Sequence, residues 1–168
     1  GGIMKQEWED VLSLMKYLTG KLNKNGEIII IKGNHDKILE PILKNVKEVV
    51  LKGYYVYRDM CFMHGDGDFL ENYNKGIKYW VLGHGHPAVR ISELGGVKIE
   101  KYKCFLEGKW KGKKIIIVPS FFSYNEGSDP RENDLKIVWK FDYDKFNVKV
   151  VSGKELEVLD FGRLGKMN

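Results

Sequence analysis

All four histidines of the chain fall in three short glycine-containing segments, each next to an apolar run rich in β-forming residues. The segments are IIIIKGNHD (28–36), MCFMHGDG (60–67) and YWVLGHGHP (79–87). Their histidines are His35, His64, His84 and His86. Neutral imidazoles, with an amide oxygen such as that of Asn34, suit borderline divalent metals such as manganese, iron, cobalt, nickel and zinc. These residue types therefore predict a metal site.

Strands must position these side chains. Polar residues that follow adjacent strands converge at one edge of a sheet, and glycines let the chain turn tightly beside a ligand. His84 and His86 are two residues apart, so in extended backbone both imidazoles would point the same way. Taken singly, GNHD is also typical of a simple turn and GHGHP of a flexible loop. The metal site is favoured because no histidine lies outside the three segments.

The rest of the chain predicts an α/β domain. Apolar residues spaced by three and four predict a helix over residues 4–24, and residues 27–32 predict a buried strand. A short helix is expected in 36–46, disturbed or restarted at Pro41, and another in 68–76. Strands are predicted by composition elsewhere. They lie in 48–53, 54–59, 60–65, 77–82, 88–92, 97–108, 113–121, 135–144, 146–152 and 156–162.

Composition indicates the size, charge and expected cellular location of the protein. The chain has 168 residues, which suits one domain, with a net charge of +5 and a pI near 9.0. Its lysine-rich, salt-bridged character is typical of thermophile proteins and is also compatible with a polyanionic partner. No apolar run approaches the roughly 20 residues of a membrane span, so a cytoplasmic protein without a membrane partner is expected. Cys61 and Cys104 are predicted to be buried strand residues.

The ordered blocks GNHD, MHG and GHGH resemble the signature of the calcineurin-like metallophosphoesterases. The later segments GHGHPAVRI, CFLEG and IIIVPSFFSYNEGSD resemble the small archaeal and ligase-associated phosphoesterases of that family. The resemblance covers essentially all of residues 1–168 and implies one domain. It implies an α/β fold of four layers, in which helices flank a β-sandwich. The family's D-x-H and G-D blocks have no counterpart before GNHD, which predicts a domain lacking its N-terminal strand or strands.

The resemblance also implies a dinuclear site and its mechanism. Asn34, His64 and His84 would bind one divalent ion and His86 the other, with manganese favoured and iron, zinc, cobalt or nickel as alternatives. A hydroxide bridging the two ions would attack phosphorus. His35 would act as general acid, and Asp36 would accept a hydrogen bond from His35. Without the ligands of the two missing blocks, residues 1–168 alone are expected to be inactive.

The resemblance makes a phosphodiester the first choice of substrate, in nucleic acid or a nucleotide diester. A phosphomonoesterase or protein phosphatase, and a non-catalytic metal-binding or scaffold protein of the same fold, stay open as alternatives. Three residues of the 119–129 segment are candidates for substrate contact, with a structural loop as the alternative. They are Tyr124, Asn125 and Asp129. Asp66 and Asp68 are assigned mainly to turn and helix-capping roles.

Overall fold

The computed structural model describes residues 5–92, 99–151 and 157–167 and confirms an α/β protein with a mixed sheet and two α-helices. The chain divides into two compact units, residues 1–55 and 56–168. Each unit is described by itself below, and the single domain over residues 1–168 stays a prediction. In the part of the chain that the structure describes, no helix is long and apolar enough to cross a membrane.

The first unit packs two helices on a small parallel sheet. Its elements are α1 (Lys5–Thr19), β1 (Ile28–Ile31), α2 (Leu39–Leu43) and β2 (Val49–Lys52), with a 3-10 turn at Asp36–Ile38 before α2. Met15, Ile42 and Leu43 form the buried core, and Ile30 packs against it. The strand predicted at residues 27–32 is present as β1, but its four isoleucines are only half-buried. Side chains alternate along a strand, and Ile29 and Ile31 point away from the face that carries Ile30.

The second unit contains the large sheet. Its strands are β3 (Tyr54–Tyr57, across the unit boundary), β4 (Met60–Met63), β5 (Tyr79–Leu82), β6 (Ala88–Ser92), β7 (Ile99–Trp110), β8 (Lys113–Ile117), β9 (Asn147–Val151) and β10 (Val158–Arg163). They are ordered β10-β9-β7-β8-β5-β4-β3, and β6 pairs with the first half of β7. Strands β4, β5 and β8 are parallel, whereas β7 is antiparallel to β8 and β9. Residues that follow β4, β5 and β8 therefore emerge at the same edge of the sheet.

One face of the parallel strands is fully buried, because alternate side chains point into the same core. The buried residues are Cys61 and Met63 of β4, Trp80 and Leu82 of β5, and Ile115 and Ile117 of β8. Both cysteines are buried strand residues, as predicted. Trp80 contacts the rings of Trp110 and Trp139, at centroid distances of 5.5 and 4.8 Å. Trp110 pairs with Lys113, the first residue of β8, so this aromatic cluster packs towards the start of the parallel strands.

Three sequence-based assignments need correction. Helix α1 ends at Thr19, well before residue 24, and residue 4 lies outside the described part of the chain. Residues 68–76 form only a 3-10 turn, at Leu70–Tyr73. Residues 135–144 form no strand, although Leu135, Ile137 and Trp139 are buried alternately as in a strand. Lys136 has φ 57°, a left-handed conformation that interrupts an extended chain.

Candidate functional site

The segment after β1 forms a closed turn in the first unit. The Asp36 backbone N–H donates to the Gly33 carbonyl (3.1 Å), and Asp36 Oδ2 accepts from the Gly33 N–H (2.8 Å). Asn34 and His35, between them, are exposed. Among the hydrogen bonds of the described residues, none joins His35 to Asp36, so the bond expected for that pair is absent. The Asp36 carboxylate instead closes the turn that presents His35.

Two loops of the second unit bring His64 and His84 into contact. His64 follows β4 directly, and His84 follows β5 after Gly83. His84 Nδ1 lies 3.1 Å from His64 Nε2, with the ring centroids 4.9 Å apart and the rings inclined by 65°. The two side chains are half-buried. The sequence-based expectation that histidines after neighbouring strands meet at one sheet edge is thus confirmed for this pair.

The backbone of the GHGHP loop is left-handed at both of its histidines. φ is 60° at His84 and 44° at His86, a region that costs a non-glycine residue about 1–2 kcal/mol. The prediction of an extended backbone here, with both imidazoles on one side, is therefore wrong. The loop packs closely at Gly85, where a Cβ would lie 3.0 Å from Ile137 Cδ1 and 3.2 Å from Leu135 Cβ. Strain of this kind clusters at functional sites.

The surroundings of His86 disfavour its charged form. Burial lowers the pKa of His86, and the neighbouring His84 and the ammonium of Lys103 lower this pKa further. A histidine must be neutral to bind a metal, and the lowered pKa favours that form. Lys103 lies on β7, opposite Ala88 of β6, and sequence analysis gave it no role.

The His64–His84 pair fits a metal by the chemistry and spacing of its donor atoms. Two imidazole nitrogens that bind one ion at about 2.0–2.1 Å lie about 2.8–3.4 Å apart, for ligand angles from octahedral to tetrahedral. The observed 3.1 Å falls in that range. Among the described residues, no group of three or more His, Cys, Asp or Glu side chains is placed to hold a metal. A site that combines Asn34 with His64, His84 and His86 stays a prediction.

The other candidate residues of the second unit have structural contacts. Asp129 is 1% exposed and forms an ion pair with Arg131 (2.7 Å), and its carboxylate also accepts from the Arg90 N–H (2.9 Å). Burial would raise the pKa of Asp129, but the bonds from Arg131 and from the backbone outweigh it and lower this pKa. Asp68 accepts a hydrogen bond from the Tyr73 hydroxyl (2.7 Å). These contacts favour the structural alternative for Asp129. Asp68 also has a structural contact, but its predicted helix-capping role is wrong, because the turn at Leu70–Tyr73 has no side-chain cap.

Asn125 and Tyr124 differ in whether their side chains are used in contacts within the loop. Asn125 Oδ1 accepts the Gly127 N–H (2.9 Å), which is a turn contact within the loop. The Tyr124 ring is 86% exposed and lies 5.5 Å from the Phe122 ring, centroid to centroid. Tyr124 therefore keeps its surface available for a ligand, whereas the Asn125 oxygen is used by the loop itself.

No family model, curated protein or solved structure matches this chain. The family relationship accordingly stays a prediction from the motifs.

Proposed function

We propose that this chain belongs to a metal-dependent phosphoester hydrolase of the calcineurin-like type, built as a four-layer β-sandwich flanked by helices. The observation that carries the proposal is the contact between His64 Nε2 and His84 Nδ1, 3.1 Å apart at the carboxyl ends of two adjacent parallel strands. Its favoured substrate is a phosphodiester in nucleic acid or a nucleotide, a choice supported by the basic charge of +5 and the resemblance.

In this proposal the histidines of the second unit bind metal. His64 and His84 would hold one ion, with Asn34 as the further ligand that the resemblance implies, and His86 would contribute a nitrogen to a second. Divalent ions, manganese first among them, would supply an activated water and neutralise charge on the phosphoryl oxygens. The left-handed loop and the packing of Gly85 fix the direction of the histidine side chains, so little ordering is needed when the ion binds.

His35 is assigned to the leaving group. Its exposed side chain is available to a substrate, and an imidazolium there would donate its proton to the departing alkoxide. Asp36 acts through the backbone, because its carboxylate holds the Gly33 N–H and so sets the shape of the turn. This replaces the expected role of Asp36 as an acceptor for His35.

The test compares metal content and hydrolysis in the full-length natural protein. Wild type should bind manganese and hydrolyse bis-p-nitrophenyl phosphate, whereas His84→Ala should lose both metal and activity; Tyr57→Ala, an exposed aromatic substitution, is the matched control. Metal binding without hydrolysis of any phosphoester would favour the non-catalytic metal-binding or scaffold protein. A preference for p-nitrophenyl phosphate over the diester would favour the phosphomonoesterase. A wild-type protein that binds no divalent ion would contradict the proposal.

A further inference from the structure

The segment after β8, residues 119–128, exposes three aromatic side chains and is called the aromatic loop here. Phe121 is fully exposed, Phe122 is 63% exposed and Tyr124 is 86% exposed. Large aromatic rings are usually withdrawn from water, and a cluster of exposed ones marks a binding surface. Because β8 is parallel to β5 and β4, the loop leaves the sheet at the edge that carries His64 and His84.

The aromatic loop is fastened to the histidine edge at both of its ends. Lys103 Nζ donates hydrogen bonds to the carbonyl oxygens of Ser120 (3.1 Å) and Phe122 (2.6 Å). At the other end, the Ser128 N–H donates to the His86 carbonyl (2.8 Å). Gly127, with φ 81°, lies so close that a Cβ there would be 2.5 Å from the same carbonyl oxygen. The rings are thus exposed on a backbone that is held in place.

The charge beside these rings is positive. Lys103 donates to the carbonyl oxygens of Ser120 and Phe122, and Lys101 donates to that of Gly127 (2.6 Å). A carbonyl oxygen has no net charge, so these bonds do not neutralise the two ammonium groups. The loop itself contains one carboxylate, Glu126, against these two ammonium groups. Lys103 pairs across the strands with Ala88, two residues after His86. Aromatic rings and positive charge together suit a base and its phosphate.

We propose that Phe122 and Tyr124 stack the unpaired bases of a single-stranded nucleic acid whose backbone phosphate lies at the histidine edge beside Lys103. The phosphate position rests on the proposed function, whereas the stacking rests on the loop alone. Every base has a π-face, so stacking on exposed rings binds a strand with little dependence on its sequence. Duplex bases are already stacked on each other, so the loop selects single strands.

The experiment measures fluorescence anisotropy of a labelled oligothymidylate with the full-length protein in EDTA, so that bound metal does not contribute. Phe122→Ala and Tyr124→Ala should each weaken binding about 5- to 150-fold, the range for removing one stacked base contact. Tyr124→Phe retains a ring and should restore wild-type affinity. Tyr57→Ala removes an exposed ring elsewhere and should leave affinity unchanged. An abasic oligonucleotide of the same length should bind weakly and equally to all variants.

Three outcomes would overturn the stacking proposal. Wild-type affinity in both alanine variants would show that the rings do not contribute to binding. Tight binding of the abasic strand would show that binding depends on the phosphates alone. A dimer that the alanine variants dissociate in sedimentation would show that a second copy covers the loop. Hydrolysis of bis-p-nitrophenyl phosphate by wild type is measured separately. If wild type does not hydrolyse this diester, the proposed function is contradicted but the stacking result still holds. If wild type hydrolyses it and binding does not depend on the rings, only the stacking proposal is contradicted.

Discussion

The two histidine loops that follow β1 and β5 are alike in sequence and opposite in structure. Both place a glycine and then a histidine after an apolar strand. His35 sits in an exposed turn at φ −95°, an ordinary conformation, beside a half-buried two-stranded sheet. His84 is left-handed, half-buried and in contact with His64, beside the fully buried face of a large sheet. Two similar segments, each with a glycine and a histidine after an apolar strand, therefore form one relaxed and one strained loop.

The difference matches two kinds of chemical task. A metal ligand gains from being fixed before the ion arrives, and the strain at His84 and His86 is held by the packing of Gly85 against Leu135 and Ile137. A general acid must meet a substrate and exchange a proton with it, which an exposed, unstrained His35 can do. Strain thus distinguishes the candidate ligands His84 and His86 from the candidate acid His35, whereas the candidate ligand Asn34 shares the exposed turn of His35.

The largest expected effect separates the two loops by activity and metal content. In the full-length protein, His35→Ala should lower turnover of bis-p-nitrophenyl phosphate about 10²–10⁴-fold, the usual contribution of a general acid, with metal content unchanged. His64→Ala should lower metal content together with turnover. Elemental analysis beside steady-state kinetics checks both. Metal loss in His35→Ala would show that His35 is a ligand and that the division of tasks is wrong.

The next largest expected effect is the contribution of the Asp129–Arg131 ion pair to the free energy of unfolding. Asp129→Ala should lower the free energy of unfolding by about 3 kcal/mol, because it leaves a guanidinium without its buried partner. Asp142→Ala, which breaks an exposed pair with Lys145, should change it little. Urea unfolding followed by tryptophan fluorescence measures both. Equal losses would show that the buried pair does not stabilise this edge.

The same pair predicts a pH dependence of known sign. The pKa of Asp129 is lowered in the folded protein, so unfolding takes up a proton in acid. The stabilisation is complete above the ordinary aspartate pKa of about 3.9 and is lost as the pH falls through the lower, folded value. Wild type should therefore lose more stability than Asp129→Ala between about pH 5 and pH 2. Parallel pH profiles for the two proteins would contradict this assignment.

A smaller effect tests the strain directly by comparing glycine with alanine in each loop. At His84, glycine should be more stable than alanine by about 1 kcal/mol, because glycine adopts positive φ without a Cβ clash. At His35 the order should reverse by about 0.5–1 kcal/mol, because φ is −95° and glycine costs more backbone entropy. Urea unfolding of the four variants measures both differences. The same order at both positions would remove the contrast between the loops.

The smallest expected effect concerns the closure of the relaxed turn. Asp36→Ala removes the acceptor for the Gly33 N–H and should cost about 0.5 kcal/mol, the lower end for one hydrogen bond. Asp36→Asn keeps an acceptor oxygen and should recover most of that loss. Differences in urea midpoint at constant slope measure the effect. If Asn is no better than Ala, the bond does not stabilise the turn.

The local part of this architecture was predictable from sequence. Runs of β-branched and aromatic residues between turn formers predict β2 to β5, and each histidine of the second unit lies in a loop that follows one of these strands. The spacing of Trp8, Val11, Leu12 and Met15 predicts the buried stripe of α1, because a helix brings such positions onto one face. These features depend only on neighbours in the chain.

What the sequence could not supply depends on contacts between distant residues. Residues 135–140 have the alternation of a strand, but the Val138 N–H bonds to Gly65 and Lys136 is left-handed, so no ladder forms. The close approach of Leu135 and Ile137 to Gly85, beside the left-handed His84, joins residues some fifty positions apart in the chain. The role of Lys103 depends on its hydrogen bonds to the carbonyl oxygens of Ser120 and Phe122, which are distant in the chain. No local pattern encodes these contacts.

The burial of Cys61 and Cys104 has a consequence for measuring how the second unit opens. Burial raises the pKa of Cys61 to about 11 and that of Cys104 to about 12, and neither side chain is accessible to solvent. Only a thiolate reacts with alkylating reagents, so both thiols are inert at neutral pH in the folded state. Labelling then requires that β4 or β7 separate from its neighbours. The labelling rates of the two thiols therefore report the opening of each strand without any engineered cysteine.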